Sequence, residues 1–189
     1  ARERVATDSE DAPDARHRAH LRSQSQHALA LARKKGREQP GLSAPVEPAQ
    51  EGDVLELDEA WSYVGQKANK RWLWTAMCRR TRQIVAFVIG DRSAETCARL
   101  WAKIQGDYRA CQSFSDFWKA YGQVFSSKSH QQVEKGSGET SHVERFYCTL
   151  RQRLARYVRK TLSFSKSDRM HHLVTKWFIA NYNQKLSLN

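Results

Sequence analysis

Residues 53–61, DVLELDEAW, decide the fold. Leu55 and Leu57 fall on one side of an extended chain, and Glu56 and Asp58 on the other, which is the two-residue alternation of a strand. RWLWTAMCR (71–79) and QIVAFVIG (83–90) follow, joined by a short polar link around RRT (79–81), and read as a hairpin. SAETCARLWAKIQ (93–105) opens on a Ser N-cap and places Cys97, Leu100, Trp101 and Ile104 at helical spacing. ACQSFSD (110–116) reads as a short strand, FWKAYGQVF (117–125) as a helix and HQQVEKG (130–136) as an edge strand. A long helix is expected from about 141 to 160, and MHHLVTKWFIANYN (170–183) closes the chain as another. Three early strands, a helix, a fourth strand and further helices make an α/β order compatible with a ribonuclease-H-like mixed sheet flanked by helices, and the pattern alone leaves other α/β folds open.

Composition narrows the partners. The chain has 189 residues, a formal net charge of +12 and a pI of about 9.8. Such a basic balance points toward nucleic acid, and basic proteins of other classes share it. Cysteines stand at 78, 97, 111 and 148 with no C-x-x-C pair, so they read as reduced thiols of a cytosolic protein, nucleoid-associated if DNA is the partner. No apolar run approaches the roughly 20 residues that cross a membrane, so no membrane partner is expected. Residues 1–50 hold no Phe, Tyr or Trp, and nine Lys/Arg against seven Asp/Glu. That stretch, with the linker GLSAPVEPAQEG (41–52), is expected to be a disordered or loosely helical tail over 1–51. The domain is expected over 52–189.

The long helix carries Val143, Phe146, Tyr147, Leu150, Leu154, Tyr157 and Val158 on one apolar face. Glu144 sits at the margin of that stripe, with Arg151 and Arg159 following it; Arg145, Arg153, Arg156 and Lys160 lie away from the stripe. Two readings of Glu144 are open. Ser141-His142-Val143-Glu144 has the pattern of a capping box, in which the Ser hydroxyl meets the Glu144 amide and the carboxylate reaches back. Alternatively, Glu144 holds a metal ion beside a polyanion gripped by the arginines. Asp58, read as ending the first strand, is either a solvent-facing strand residue or a site acid. Asp116, at the end of the fourth, is either an N-cap for a helix from Phe117 or a site acid. Were the three to converge, hard oxygen ligands would suit two Mg²⁺ ions and phosphoryl transfer.

LDEAWSYVGQKANKRWLW (57–74), SDFWKAY (115–121), HVERF (142–146) and LRQRLARYVRKTLSFSKS (150–167) carry a family resemblance. From about Leu57 to Asn183 the chain resembles the catalytic part of insertion-sequence-one family transposases. The resemblance implies a ribonuclease-H-like fold and an Asp-Asp-Glu metal site, here Asp58, Asp116 and Glu144, with two Mg²⁺ (or Mn²⁺) ions for DNA cleavage and strand transfer. It also implies double-stranded DNA, transposon ends and target, as partner, and a homo-oligomer as the active complex. Arg145, Arg151, Arg153, Arg156, Arg159 and Lys160 are the expected DNA contacts. Relatives usually carry an N-terminal zinc-binding segment and helix-turn-helix; here no cysteine precedes Cys78 and Phe117 stands where glycine is usual. A catalytically silent DNA-binding or assembly module derived from a transposase is therefore the alternative function.

Overall fold

The computed structural model describes residues 46–126, 128–134 and 136–188. The expected tail lies outside the described residues up to position 45. Five strands form one sheet: β1 (Val54–Tyr63), β2 (Lys70–Cys78), β3 (Ile84–Gly90), β4 (Gln112–Ser115) and β5 (His130–Gln132), in the order β3-β2-β1-β4-β5. The first three are an antiparallel meander, while β4 and β5 run parallel to β1. The helices are α1 (Ala94–Lys103), the short α2 (Gly106–Arg109), α3 (Lys119–Val124), α4 (Ser141–Arg153) and α5 (Asp168–Leu186). This is the ribonuclease-H-like α/β arrangement that the strand and helix order led one to expect.

Alternation along the strands divides the core in two. Leu55 and Leu57 pack with Trp74 against Cys97, Leu100 and Ile104 of the α1 segment and Tyr121 of α3. Ala60, Leu73 and Met77 pack against Val143, Phe146 and Leu150 of α4 and Phe178 and Ile179 of α5. Ser93 caps α1 through a bond from the Thr96 amide, as its sequence suggests. Val46 and Ala49 already pack against the first core, and Tyr108 donates to the Glu47 carbonyl at 2.8 Å. The packed domain thus begins ahead of the linker's last residues.

Three local readings change. Asp58 does not end β1; the strand runs on to Tyr63 along its antiparallel partner β2. Pairing with β4 stops at Glu56, however, so Asp58 lies where β1 parts from β4. The helix read to about 160 ends at Arg153, with Leu154 extended, a 3₁₀ turn over Ala155–Tyr157 and irregular chain beyond. The break turns Tyr157 inward, where it is buried and its hydroxyl lies 2.6 Å from Thr175 Oγ1 of α5. Val158, read as part of the apolar face, is exposed as a result. Finally, α3 starts at Lys119 rather than Phe117, and Phe117 is left 66% exposed.

The outer strand β3 is held by α5 through a side chain that imitates a strand partner. Asn183 is buried; its Oδ1 accepts from the Ile84 amide at 2.8 Å and its Nδ2 donates to the Ile84 carbonyl at 2.9 Å. Asn183→Ala leaves both buried backbone groups unpartnered, and the domain is expected to lose about 2–4 kcal/mol, read from chemical denaturation.

Candidate functional site

Helix α4 is anchored by a carboxylate from the sheet. Glu56 of β1, 0% exposed, accepts on Oε2 from the amides of His142 (2.9 Å) and Val143 (3.1 Å), two otherwise orphaned donors of the first turn. Its Oε1 lies 2.6 Å from His142 Nδ1 and accepts from Arg79 Nε at 2.9 Å. Arg79 in turn donates to the carbonyl and carboxylate of Glu139, both at 2.7 Å, which holds the loop before the helix. The capping box, one of the two readings of Glu144, is absent: the N-cap is Thr140, without a side-chain bond to an amide, and the Glu144 amide meets the Thr140 carbonyl instead. A long-range carboxylate does the capping, so Glu144 is not needed for it. Thr140 Oγ1 does donate to Glu144 Oε1, at 3.2 Å.

A second pin stands one turn on. The buried Tyr147 hydroxyl donates to the Asp58 carbonyl at 2.7 Å and the Leu73 carbonyl at 3.1 Å, and lies 2.7 Å from Thr75 Oγ1. Burial raises its pKa well above the ordinary phenol value and keeps it a donor. Glu144 lies between these two fixed points, against the part of β1 that bears Asp58. Asp116 follows directly on the last residue of β4, at the carboxyl ends of the parallel strands, where open α/β sheets form a crevice.

Asp58, Asp116 and Glu144 thus line one cavity of about 480 Å³. Each turns an oxygen to a local donor: Asp58 Oδ1 to the Glu59 amide (2.8 Å), Asp116 Oδ1 to the Trp118 amide (3.0 Å) and Glu144 Oε1 to Thr140. Among the described residues no three His, Cys, Asp or Glu side chains are grouped closely enough to hold a metal ion as they stand. The electrostatics still suit a cation. The Asp58 carboxyl is pushed up to about 8, first by burial, then by the charge of Glu59, with Asp116 and Glu144 adding to it. Three hard oxygen donors around one cavity, one of them destabilised as an anion by its neighbours, make a donor set that fits a divalent ion such as Mg²⁺.

The basic residues divide. Arg151 and Arg159 line this cavity, Arg159 stacking over Trp61 with its guanidinium carbon 4.9 Å from the ring centre. Lys160 lines the adjoining groove. Arg145 lines a separate pocket with His142, Arg153 is exposed at the end of α4, and Arg156 donates to Ser165 Oγ at 3.3 Å. The sequence placed Glu56 on a strand face and Tyr147 on an apolar helix face without marking either as part of a site, and did not single out Arg92. Arg92 binds the buried Glu59 carboxylate, which also accepts from Tyr121 at 2.8 Å, and is stacked between Trp72 and Trp118 at 4.5 and 3.8 Å. Glu56 left one signal, an acid alternating with core leucines in a strand that is buried on both faces. His171 is a core residue, its ring nitrogens 3.0 Å from Ser62 Oγ and 2.8 Å from Ser165 Oγ.

A family model described as IS1 transposase matches residues 54–185. Insertion element iso-IS1n protein InsB of Shigella dysenteriae is 37% identical over 129 residues, covering 68% of this chain and 95% of that protein. Insertion element IS1 protein InsB of Shigella flexneri is 39% identical over 119 residues, covering 63% of this chain and 88% of that protein. Among solved structures, the catalytic core domain of BIV integrase is similar with a TM-score of 0.42 at 14% identity, over 67% of this chain and 79% of that one.

Two measurements check this geometry. Glu56→Ala leaves two α4 amides without their acceptor and Arg79 with Glu139 alone, and is expected to cost about 2–4 kcal/mol, whereas Ser141→Ala is expected to cost under about 0.5 kcal/mol; a capping box at Ser141 would raise the second figure to about 1 kcal/mol. The second test is the pH dependence of Asp58. Its folded pKa, about 8, is raised above the ordinary carboxylate value, so its contribution to stability is complete below pH 4 and is lost as pH rises toward 8. Asp58→Asn is therefore expected to stabilise the metal-free protein relative to the parent, by roughly 2–4 kcal/mol at pH 8 and by little at pH 4. Parallel melting curves across that range read the difference directly.

Proposed function

This chain belongs to the IS1 transposase family, and from that premise we propose that residues 52–189 are a transposase catalytic domain that cleaves and joins DNA strands with divalent metal ions. The observation that carries the proposal is that Asp58, Asp116 and Glu144 line one cavity although 58 and 28 residues separate them in sequence. Divalent ions held by these three, Mg²⁺ or Mn²⁺ and two in number, would supply activation of a water or 3′-hydroxyl and neutralisation of charge in an in-line phosphoryl transfer.

The remaining roles fall to the chain's own groups. Asp58 and Asp116 approach from the sheet and Glu144 from α4, so the site closes only while α4 keeps its place on β1. Glu56 and Tyr147 keep it there. Arg151 and Arg159, on the cavity wall, attract and position the phosphate backbone, while Arg145, Arg153, Arg156 and Lys160 extend the basic surface for double-stranded DNA. Transposon ends and target must be brought together, which a homo-oligomer would do. No helix among the described residues is long and apolar enough to cross a membrane.

A second reading is a transposase-derived module that binds or assembles on DNA without cutting it. It is favoured by the splayed arrangement of the three carboxylates, each engaged by a local donor. One set of measurements separates the two. On the catalytic reading, Mg²⁺ raises the melting temperature of the parent at pH 8, by the equivalent of about 2.7 kcal/mol at a hundred times its dissociation constant, and leaves Asp58→Asn nearly unmoved. Glu144→Gln is expected to abolish Mg²⁺-dependent nicking while DNA affinity stays equal or rises, since a negative charge beside a polyanion is removed. A parent protein that binds DNA but shows neither metal stabilisation nor nicking would establish the silent module.

A further inference from the structure

Beyond the catalytic cavity the same strand leads into a second concavity. Trp61 lines the first, and Tyr63, two residues along β1 and so about 7 Å away, lines the second. On the opposite wall Arg159 lines the first and its neighbour Lys160 the second. The groove, about 480 Å³, lies between the tip of the β1–β2 hairpin, with Gly65 and Lys67, and the strap that follows the 3₁₀ turn, with Thr161, Leu162 and Phe164. No acid lines it. Lys166 lies over Phe164 of the groove, and Lys70 over Trp61 of the neighbouring cavity.

The strap is fixed on both sides of the three residues Leu162, Ser163 and Phe164. Before them, the Thr161 carbonyl accepts from the Tyr63 hydroxyl at 3.0 Å. After them, Ser165 pairs with Val64 in a parallel bridge, and its carbonyl accepts from the Gly65 amide at 2.8 Å. Ser165 is buried, and its hydroxyl is held by His171 and Arg156. Between these anchors stands Leu162, 93% exposed. A lone exposed leucine is ordinary on a protein surface. This one is held outward by a braced strap, over a groove without acids, beside Lys67 and Lys160, next to a cavity whose proposed substrate is DNA.

We infer that this groove seats the duplex next to the bond that is cut, and that Leu162 enters between base pairs as a wedge. The inference rests on the transposase reading above. Lys67 and Lys160 supply phosphate contacts, and the leucine supplies an apolar insert of the kind that partly unstacks and bends a duplex. Continuity with the catalytic cavity puts the opened step beside the reacting phosphate. Inserting the wedge costs unstacking energy, so DNA that is already open at that step binds more tightly.

The test uses the full chain and two short synthetic duplexes, one fully paired and one with two adjacent mismatched pairs. The parent is expected to bind the mismatched duplex about tenfold more tightly, or more, the equivalent of about 1.4 kcal/mol. Leu162→Ser is expected to bind the two alike, with an unchanged melting temperature because the residue is exposed, and Leu162→Met to restore the preference. Lys67→Ala is expected to lower the salt slope of binding by about 0.9 while keeping the preference. A parent without preference, or a Leu162→Ser variant that keeps it, overturns the wedge. Loss of Mg²⁺-dependent nicking by the parent would instead strike the transposase reading, and the binding comparison is read without it.

Discussion

A carboxylate with no exposure to water, Glu56, holds the two halves of the candidate site together. It belongs to β1 and stands two residues before Asp58; the amides it accepts from belong to the first turn of α4, two and one residues before Glu144. Burying an anion is costly unless it is paired and hydrogen-bonded. Here Arg79, His142 and the helix amides meet that requirement, and Arg79 carries the link on to Glu139. The same interaction therefore caps the helix, orders the loop before it and sets the helix against the strand. Tyr147 repeats the attachment at the Asp58 carbonyl.

Around that attachment the cavity concentrates negative charge. Asp58 carries the electrostatic cost: burial and the neighbouring carboxylates disfavour its ionised form. Glu59, which also lines the cavity, is likewise held above its ordinary pKa, first by burial and then by Asp116, with Tyr121 and Arg92 opposing the shift, and Arg92 is stacked between Trp72 and Trp118. The two glutamates of β1 and the three acids of the candidate site differ in their hydrogen-bond partners. Glu56 and Glu59 have strong basic partners; among the described residues Asp58, Asp116 and Glu144 are hydrogen-bonded to a neighbouring amide or hydroxyl. A site that is to receive a cation leaves its acids in the second condition, at a cost in stability.

The basic surface is arranged by the end of α4. Had the helix continued to about 160, its arginines would have stood around a straight rod. Ending at Arg153 and burying Tyr157 turns the following chain back along β1, so that Arg159 reaches Trp61 and Lys160 reaches the hairpin. Tyr157 explains the turn, since its ring is buried beside His171 and its hydroxyl meets Thr175.

The sequence by itself determined the strands, the Ser93 cap, the apolar face of α4 and the three candidate acids. These are local: alternation, helical spacing and motif residues lie within a few positions of one another. It also suggested a capping box at Ser141, because the pattern is correct and only a competitor from outside the helix displaces it. That competitor is Glu56, more than eighty residues away, and no spacing rule links it to His142. The length of α4, the position of Asp58 where β1 parts from β4, and the division of the basic residues between cavity, groove and other surfaces were likewise decided by tertiary structure. The physical reason is the same in each case: buried polar groups and aromatic rings take the partners that the assembled sheet and helices bring within reach, and those partners are distant in the chain.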